Sequence, residues 1–214
     1  MRPRPTRRQL YGSLIVQLVF FLVFGWLTAW RERIALWRAP DGWLVPGLGT
    51  LFILAVLFVA TIPIRRKAVE RREPRVYFAM PVQPDEMALW VAVSVMAGVS
   101  EEYVYRWVFS DLGARLTGSL AFGWALSILA FSVAHATQGS WAAVLFSAAF
   151  ALLAHLLVFL TGTLVFAIAL HAVYDVLAGI EYRRLGLRLG YPEHGLPDAD
   201  AESAVTTSPA ASSP

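Results

Sequence analysis

Long apolar segments alternate with short polar ones along most of the chain, and this pattern predicts a helical membrane protein. Six apolar segments each approach the roughly 20 residues that a helix needs to cross about 30 Å of hydrocarbon. They run from Leu10 to Trp30, Trp43 to Ile64, Met87 to Phe109, Leu120 to Ala136, Trp141 to Leu160 and Thr163 to Glu181. The fold class that follows is all-α, a polytopic transmembrane helical bundle of about six spans.

The placement of proline divides the chain into three regions. Prolines recur up to Pro84 and are then absent until Pro192. We interpret residues 1–84 as an N-terminal two-span anchor with a basic cytoplasmic loop, and residues 85–182 as a compact core of unbroken helices. Residues 183–214 are rich in Pro, Ala, Ser, Thr and acidic residues, which predicts a disordered polar tail.

The composition supports the membrane assignment and excludes some chemistry. The chain is 57% hydrophobic and only 15% charged, whereas a soluble domain carries about 25% charged residues. Cysteine is absent, which excludes disulfides, a cysteine nucleophile and Cys-ligated zinc. The content of alanine and arginine fits a bacterial source.

The basic residues predict the orientation in the membrane. In a six-span arrangement, thirteen Lys and Arg residues of the N-terminal segment, the second loop and the tail fall on one side. Four fall on the other side, namely Arg31, Arg33, Arg38 and Arg115. The positive-inside rule then predicts that both termini lie in the cytoplasm, and we expect a multi-pass protein of the plasma membrane. Because topology already accounts for the basic loops, we expect the lipid bilayer as a partner and no nucleic acid.

Two adjacent carboxylates interrupt the third apolar segment. Glu101 and Glu102 are followed by Arg106, and each charge near the centre of a spanning helix costs roughly 2.5–3.5 kcal/mol. Glu102 and Arg106 are four residues apart and are therefore suited to a local ion pair. Glu101 is left about 100° around the helix without a partner in its own segment, which makes it the candidate for chemistry.

Two histidine motifs follow in later apolar segments. His135 closes the run Phe131-Ser-Val-Ala-His, and His171 and Asp175 are four residues apart on one predicted helix face. Asp175 could accept a hydrogen bond from the imidazole of His171 and so fix its tautomer. Each motif alone is compatible with a structural role, as we expect for His155, which has no acidic residue nearby. Gathering all three polar clusters in the bundle interior costs less than exposing each to lipid, so we expect them to converge.

The order of these motifs resembles the CPBP (Abi) family of intramembrane proteases, which includes the type II CAAX prenyl endopeptidases. The matching pattern is Glu-Glu-x-x-x-Arg, then Phe-x-x-x-His, then His-x-x-x-Asp. The resemblance implies that Glu101 activates water and that His135 shares the handling of protons. It also implies that His171 and Asp175 stabilise the oxyanion. Glu102 and Arg106 would support the site, and the substrate would be a membrane-associated peptide or protein, with a prenylated CAAX-type protein as one case.

Two positions depart from the family pattern. Trp107 stands where members often have glycine, and Asp175 stands where they often have asparagine. An ionised aspartate cannot donate a hydrogen bond to an oxyanion, so Asp175 either stays protonated or orients His171. We favour orientation, because it needs no retained proton.

The same residues leave other readings open. Glu101, His135 and His171 could form a His₂Glu site for a divalent metal such as zinc, so the peptidase could be glutamate-dependent or a metallo-endopeptidase. A non-catalytic scaffold, immunity or regulatory protein could retain the cluster, and a proton-relaying transporter is a third class. A depth mismatch also needs explaining. Glu101 lies about 21 Å along a helix that starts at Met87, while His135 ends the next span near the membrane surface.

Overall fold

The computed structural model describes residues 6–34, 39–40, 42–138 and 141–191, and the regular elements in this part of the chain are all helical. In chain order the α-helices are α1 (Arg7–Arg31), α2 (Leu44–Ala60), α3 (Ile62–Glu70), α4 (Pro74–Phe78), α5 (Pro84–Glu101), α6 (Ser110–Thr117), α7 (Leu120–Ala134), α8 (Trp141–Thr161) and α9 (Val165–Arg188). A π-helical segment (Glu102–Phe109) joins α5 to α6, and a 3₁₀ turn (His135–Gln138) follows α7.

Five helical runs of the described chain are long and apolar enough to cross a membrane. They are Arg7–Arg31, Leu44–Glu70, Pro84–Thr117, Trp141–Thr161 and Val165–Arg188. The fourth of the six expected spans, α7, is apolar but only 15 residues long. The prediction of a helical membrane bundle is therefore confirmed, with one member shorter than a full crossing.

The long run Pro84–Thr117 removes the mismatch in depth between Glu101 and His135. The third span does not stop at Phe109, as the sequence suggested, but continues for the eight residues of α6. Gly118, in the left-handed conformation at φ 69°, then reverses the chain. The π-helical segment and α6 are eight residues each and α7 is 15 residues long. The end of α7 therefore returns to the level of Glu102, inside the bundle.

A close approach of α5 and α9 brings the remaining site residues together. A Cβ atom on Gly98 would lie 2.9 Å from the carbonyl oxygen of Ile168 and 3.2 Å from Cβ of Ala172. Only glycine fits such a contact without a shift of one helix. Because Gly98 is one turn before Glu102 and faces the residue next to His171, this contact places the acidic pair against the histidine.

The basic segment around Arg65 packs against the helical bundle. Arg65 of α3 is buried and pairs with Glu181 of α9, with 2.6 Å between Nη2 and Oε2. It also contacts Thr61, whose hydroxyl accepts a hydrogen bond of 3.0 Å from Tyr174. This network ties α3 to α9 and fixes the position of α9 in the bundle.

Helix α9 extends past residue 183, where we expected the polar tail to begin. Helix α9 continues to Arg188, and Tyr191 is buried with its hydroxyl donating to the carbonyl oxygen of Val69 at 2.5 Å. Its ring also packs on that of Tyr77. Disorder from residue 183 onward is therefore wrong for residues 183–191, because an aromatic anchor docks this segment on the core. The rest of the predicted tail, residues 192–214, lies outside the described residues.

Candidate active site

Glu102 lies at the centre of a buried charged group. Its Oε2 is 3.0 Å from Nε of Arg106, one turn along the same helical run, and both side chains have no exposed surface. Its other oxygen, Oε1, is 2.7 Å from Nδ1 of His171. Because a carboxylate paired with arginine can only accept, Nδ1 of His171 carries the proton and donates it. Glu102 thus holds both the arginine and the imidazole.

Glu101 approaches the opposite nitrogen of the same imidazole. Its Oε2 is 3.9 Å from Nε2 of His171, and this oxygen makes no hydrogen bond to the described residues. Oδ2 of Asp175 is 3.6 Å from the same Nε2. Both distances exceed a direct hydrogen bond and suit one bridging water. The side chains of Glu101 and Asp175 retain 19% and 31% exposure, so this side of the imidazole is the accessible one.

The hydrogen bond that we expected Asp175 to make is made by Glu102 instead. Asp175 follows His171 by one turn and therefore reaches only Nε2, while Nδ1 faces the neighbouring helix. The backbone of Asp175 is held by Trp90, whose Nε1 donates to the Asp175 carbonyl oxygen at 3.1 Å. The sequence could not show this arrangement, because His171 and Glu102 are 69 residues apart.

His135 reaches the group across an aromatic ring. Its Nδ1 donates to the carbonyl oxygen of Phe131 at 2.9 Å, which leaves Nε2 without a proton in the neutral imidazole. The Phe131 ring lies 4.3 Å from the His135 ring and 6.3 Å from the His171 ring, between centroids. His135 is half-buried and close enough to His171 and Asp175 for their charges to interact. The structure thus gathers the expected residues, with His135 at the edge.

Aromatic rings enclose the charged group, and sequence reasoning missed their role. The Arg106 guanidinium carbon lies 4.1 Å from the centre of the Phe131 ring, within the range of a cation–π contact. Phe150 of α8 packs edge-on against His171 at 5.1 Å. Phe131 did belong to the Phe-x-x-x-His motif, but nothing in its spacing indicated a contact with Arg106.

His155 has the structural role that we expected. It is buried, its Nε2 lies 3.1 Å from the hydroxyl of Ser127, and its ring stacks on Trp124. The Ser127 hydroxyl in turn donates to the carbonyl oxygen of Tyr105 in the π-helical segment, at 2.6 Å. This chain of contacts ties α8 and α7 to the segment that carries Glu102 and Arg106.

The donor set does not match a metal centre. Among the described residues, no group of three His, Cys, Asp or Glu side chains is arranged to hold a metal ion. Nδ1 of His171 is occupied by Glu102, and Nδ1 of His135 is occupied by Phe131. These bonds leave Nε2 of both histidines available to a ligand, but the described structure does not arrange Glu101, His135 and His171 as a metal-binding group, and no step below depends on a metal.

Comparison with known proteins identifies the region that contains these residues. Residues 83–177 match the family model "Type II CAAX prenyl endopeptidase Rce1-like", which confirms the resemblance for a little under half of the chain. No curated protein and no solved structure matches significantly. The matched region contains Glu101, Glu102, Arg106, His135, His171 and Asp175. The family supports a function of the CAAX-type intramembrane protease kind, and the apolar helices support a multi-pass membrane protein.

Proposed function

We propose that this chain, whose residues 83–177 are an Rce1-like region, is an intramembrane endopeptidase that uses Glu101 to activate water. The observation that carries this proposal is the pair of carboxylates on one imidazole. Glu102 binds Nδ1 of His171 at 2.7 Å, while Glu101 stands 3.9 Å from Nε2. Glu102 is engaged by Arg106 and His171, whereas Oε2 of Glu101 makes no hydrogen bond to the described residues and can bind a water.

The nucleophilic water is held between Glu101 and His171. A gap of 3.9 Å between Oε2 and Nε2 suits a water that bonds to both groups at the edge of the buried cluster. Glu101 removes one proton from this water as its oxygen attacks the peptide carbonyl carbon. The new carbon–oxygen bond moves the carbonyl electron pair onto oxygen, and a tetrahedral oxyanion results.

His171 stabilises that oxyanion, and His135 assists the departure of the amine. Protonated on both nitrogens, His171 keeps Nδ1–H on Glu102 and directs Nε2–H at the developing charge. When the oxyanion collapses, the carbon–nitrogen bond breaks and the amine nitrogen takes a proton. This proton is the one that Glu101 removed, relayed to the amine through His135.

Asp175 orients the imidazole from its second edge. Glu102 holds the ring directly through Nδ1, and Asp175, with Oδ2 3.6 Å from Nε2, acts on the ring through a bridging water. This assignment needs no proton on Asp175. It also explains why the backbone of this residue is fixed by Trp90.

We further propose a plasma-membrane location with both termini in the cytoplasm, where the substrate is a membrane-associated protein. A prenylated C-terminal segment is the substrate to test first, because the family match names prenyl endopeptidases. The alternatives of a non-catalytic scaffold and a transporter share the fold and predict no peptide products.

The test is incubation of purified protein in liposomes with a farnesylated C-terminal peptide and with its unprenylated twin, followed by mass spectrometry. A defined shorter product with wild-type protein, absent with His171→Ala, supports the proposal. Intact peptide after incubation with a folded wild-type preparation, for both substrates, contradicts it. If both peptides are cleaved at the same rate, the protein is a peptidase that does not require a prenyl group on its substrate.

A further inference from the structure

A cavity is lined by Arg106 but by none of the acidic or histidine residues of the candidate active site. Its volume is about 470 Å³, and it is formed by the C-terminal end of α1, by α6 and by the facing surfaces of α7 and α8. Three of its lining residues are arginines, namely Arg33, Arg106 and Arg115, while Asp111 is its acidic member. Arg106 is paired with Glu102 and Arg115 with Asp111, so these groups together with Arg33 keep one net positive charge, which favours an anion.

Arg106 supplies buried donors that this cavity can use. The residue is 3% exposed, and its Nη1 and Nη2 make no hydrogen bond within the described part of the chain. Glu102 approaches only Nε, and Phe131 covers one face of the guanidinium. Buried donors without acceptors are costly, and a bidentate oxyanion is the ligand that two neighbouring N–H groups recognise best.

The two other arginines lie at the ends of α1 and α6 and are more exposed than Arg106. Arg115 pairs with Asp111 at 2.5 Å and donates to the carbonyl oxygen of Glu32 at 3.0 Å. This bond joins the end of α6 to the end of α1. Arg33 follows directly with a φ of 54°, an uncommon conformation for a side-chain-bearing residue.

The remaining wall is apolar and faces the lipid. Trp107, Trp124 and Phe159 line it together with Leu120. Phe159 is 63% exposed and Leu120 is 49% exposed. On a membrane protein, this wall is accessible to hydrocarbon. A cationic base combined with an apolar side fits a ligand that carries both an oxyanion and an alkyl chain.

We propose that this cavity binds the phosphate head of an anionic amphiphile, with two oxyanion oxygens on Nη1 and Nη2 of Arg106. Arg33 and Arg115 attract the head, and the hydrocarbon lies along Phe159 and Leu120. Arg106 is shared with the candidate active site through its pair with Glu102, while the other residues that line the cavity take no part in the proposed peptidase steps. The same oxyanion could also come from free phosphate, and the experiment distinguishes these sources.

The experiment measures binding to the full-length protein in neutral detergent with three probes: dihexanoyl phosphatidic acid, dihexanoyl phosphatidylcholine and inorganic phosphate. We expect saturable 1:1 binding of phosphatidic acid, at least tenfold tighter than either other probe. Arg33→Gln and Arg115→Gln should each weaken it about three- to tenfold. Arg31→Gln is the matched control, because Arg31 belongs to the same helix end, is highly exposed and does not line the cavity.

Three outcomes overturn the proposal in whole or in part. Equal binding of phosphatidic acid and phosphatidylcholine removes the oxyanion requirement. Equal effects of the Arg33 and Arg31 variants place binding outside the cavity. Inorganic phosphate binding as tightly as phosphatidic acid retains the oxyanion site and refutes the contribution of the apolar wall.

Discussion

Replacing Glu102 with glutamine removes a carboxylate that two buried partners share. The amide keeps one acceptor oxygen, so it can satisfy His171 or Arg106 but not both. Its NH₂ group then faces a donor, and the guanidinium loses its counter-ion in a place with no exposed surface. Breaking a buried pair by removing one member costs about 3–5 kcal/mol. This is a large part of the free energy of unfolding of a typical protein, which is about 5–15 kcal/mol.

A double-mutant cycle isolates this interaction. We expect Glu102→Gln and Arg106→Gln each to lower the free energy of unfolding by about 3–5 kcal/mol. In the double variant the two amides can bond to each other, so its loss should fall short of the sum by about 1–3 kcal/mol. Peptide cleavage should stay at least about tenfold below wild type in the double variant, because His171 has lost its charged partner.

The assay is equilibrium unfolding in mixed micelles, followed by circular dichroism, with initial cleavage rates on the same preparations. The control pair is Arg66 and Glu70, which has the same spacing and a 3.0 Å contact but is exposed. The double-mutant cycle of this control pair should give a coupling energy below about 0.5 kcal/mol. Additive losses at Glu102 and Arg106 would refute the shared interaction. Wild-type cleavage by the double variant would refute the role of Glu102 in holding His171.

Three further perturbations test the geometry around the site. Asp175→Asn should cleave within about tenfold of the wild-type rate, because an amide oxygen can hold the same bridging water to Nε2 of His171. Asp175→Ala, which holds no such water, should lose more than about tenfold, and initial cleavage rates distinguish the two outcomes. Gly98→Val should lower the free energy of unfolding by about 1–3 kcal/mol, because its Cβ would lie 2.9 Å from a backbone oxygen. Gly12→Val, whose Cβ would have no neighbour within 4 Å, should lower it by less. A strong chelator such as 1,10-phenanthroline should leave the cleavage rate unchanged. If the chelator abolishes cleavage and added zinc restores it, the metal-free mechanism is overturned.

Hydropathy was sufficient to predict most of the fold, because lipid requires long apolar helices. It placed all six apolar helices. The ion pair between Glu102 and Arg106 followed from their spacing of four residues within one helix. Hydropathy did not predict that the third span runs on to Thr117. The turn residue Gly118 marks that end, but apolar content falls well before it.

The features that sequence reasoning missed depend on contacts between distant segments. The bond from His171 to Glu102 requires the α5–α9 approach at Gly98, and no local pattern encodes which carboxylate an imidazole will face. The docking of Tyr191 likewise depends on Val69, far away in the chain. Composition alone therefore assigned this segment to the tail, although one aromatic residue anchors it.

The most direct test of the central claim compares cleavage by Glu101→Gln with cleavage by Asp85→Asn, a carboxylate-to-amide change in the first turn of the same helix. Both proteins should unfold at the wild-type midpoint, because neither carboxylate carries the buried ion pair. We predict that Glu101→Gln lowers the initial rate by about 10²–10⁴-fold and that Asp85→Asn leaves it within twofold. A folded Glu101→Gln protein that cleaves at the wild-type rate would contradict the assignment of Glu101 as the residue that activates water.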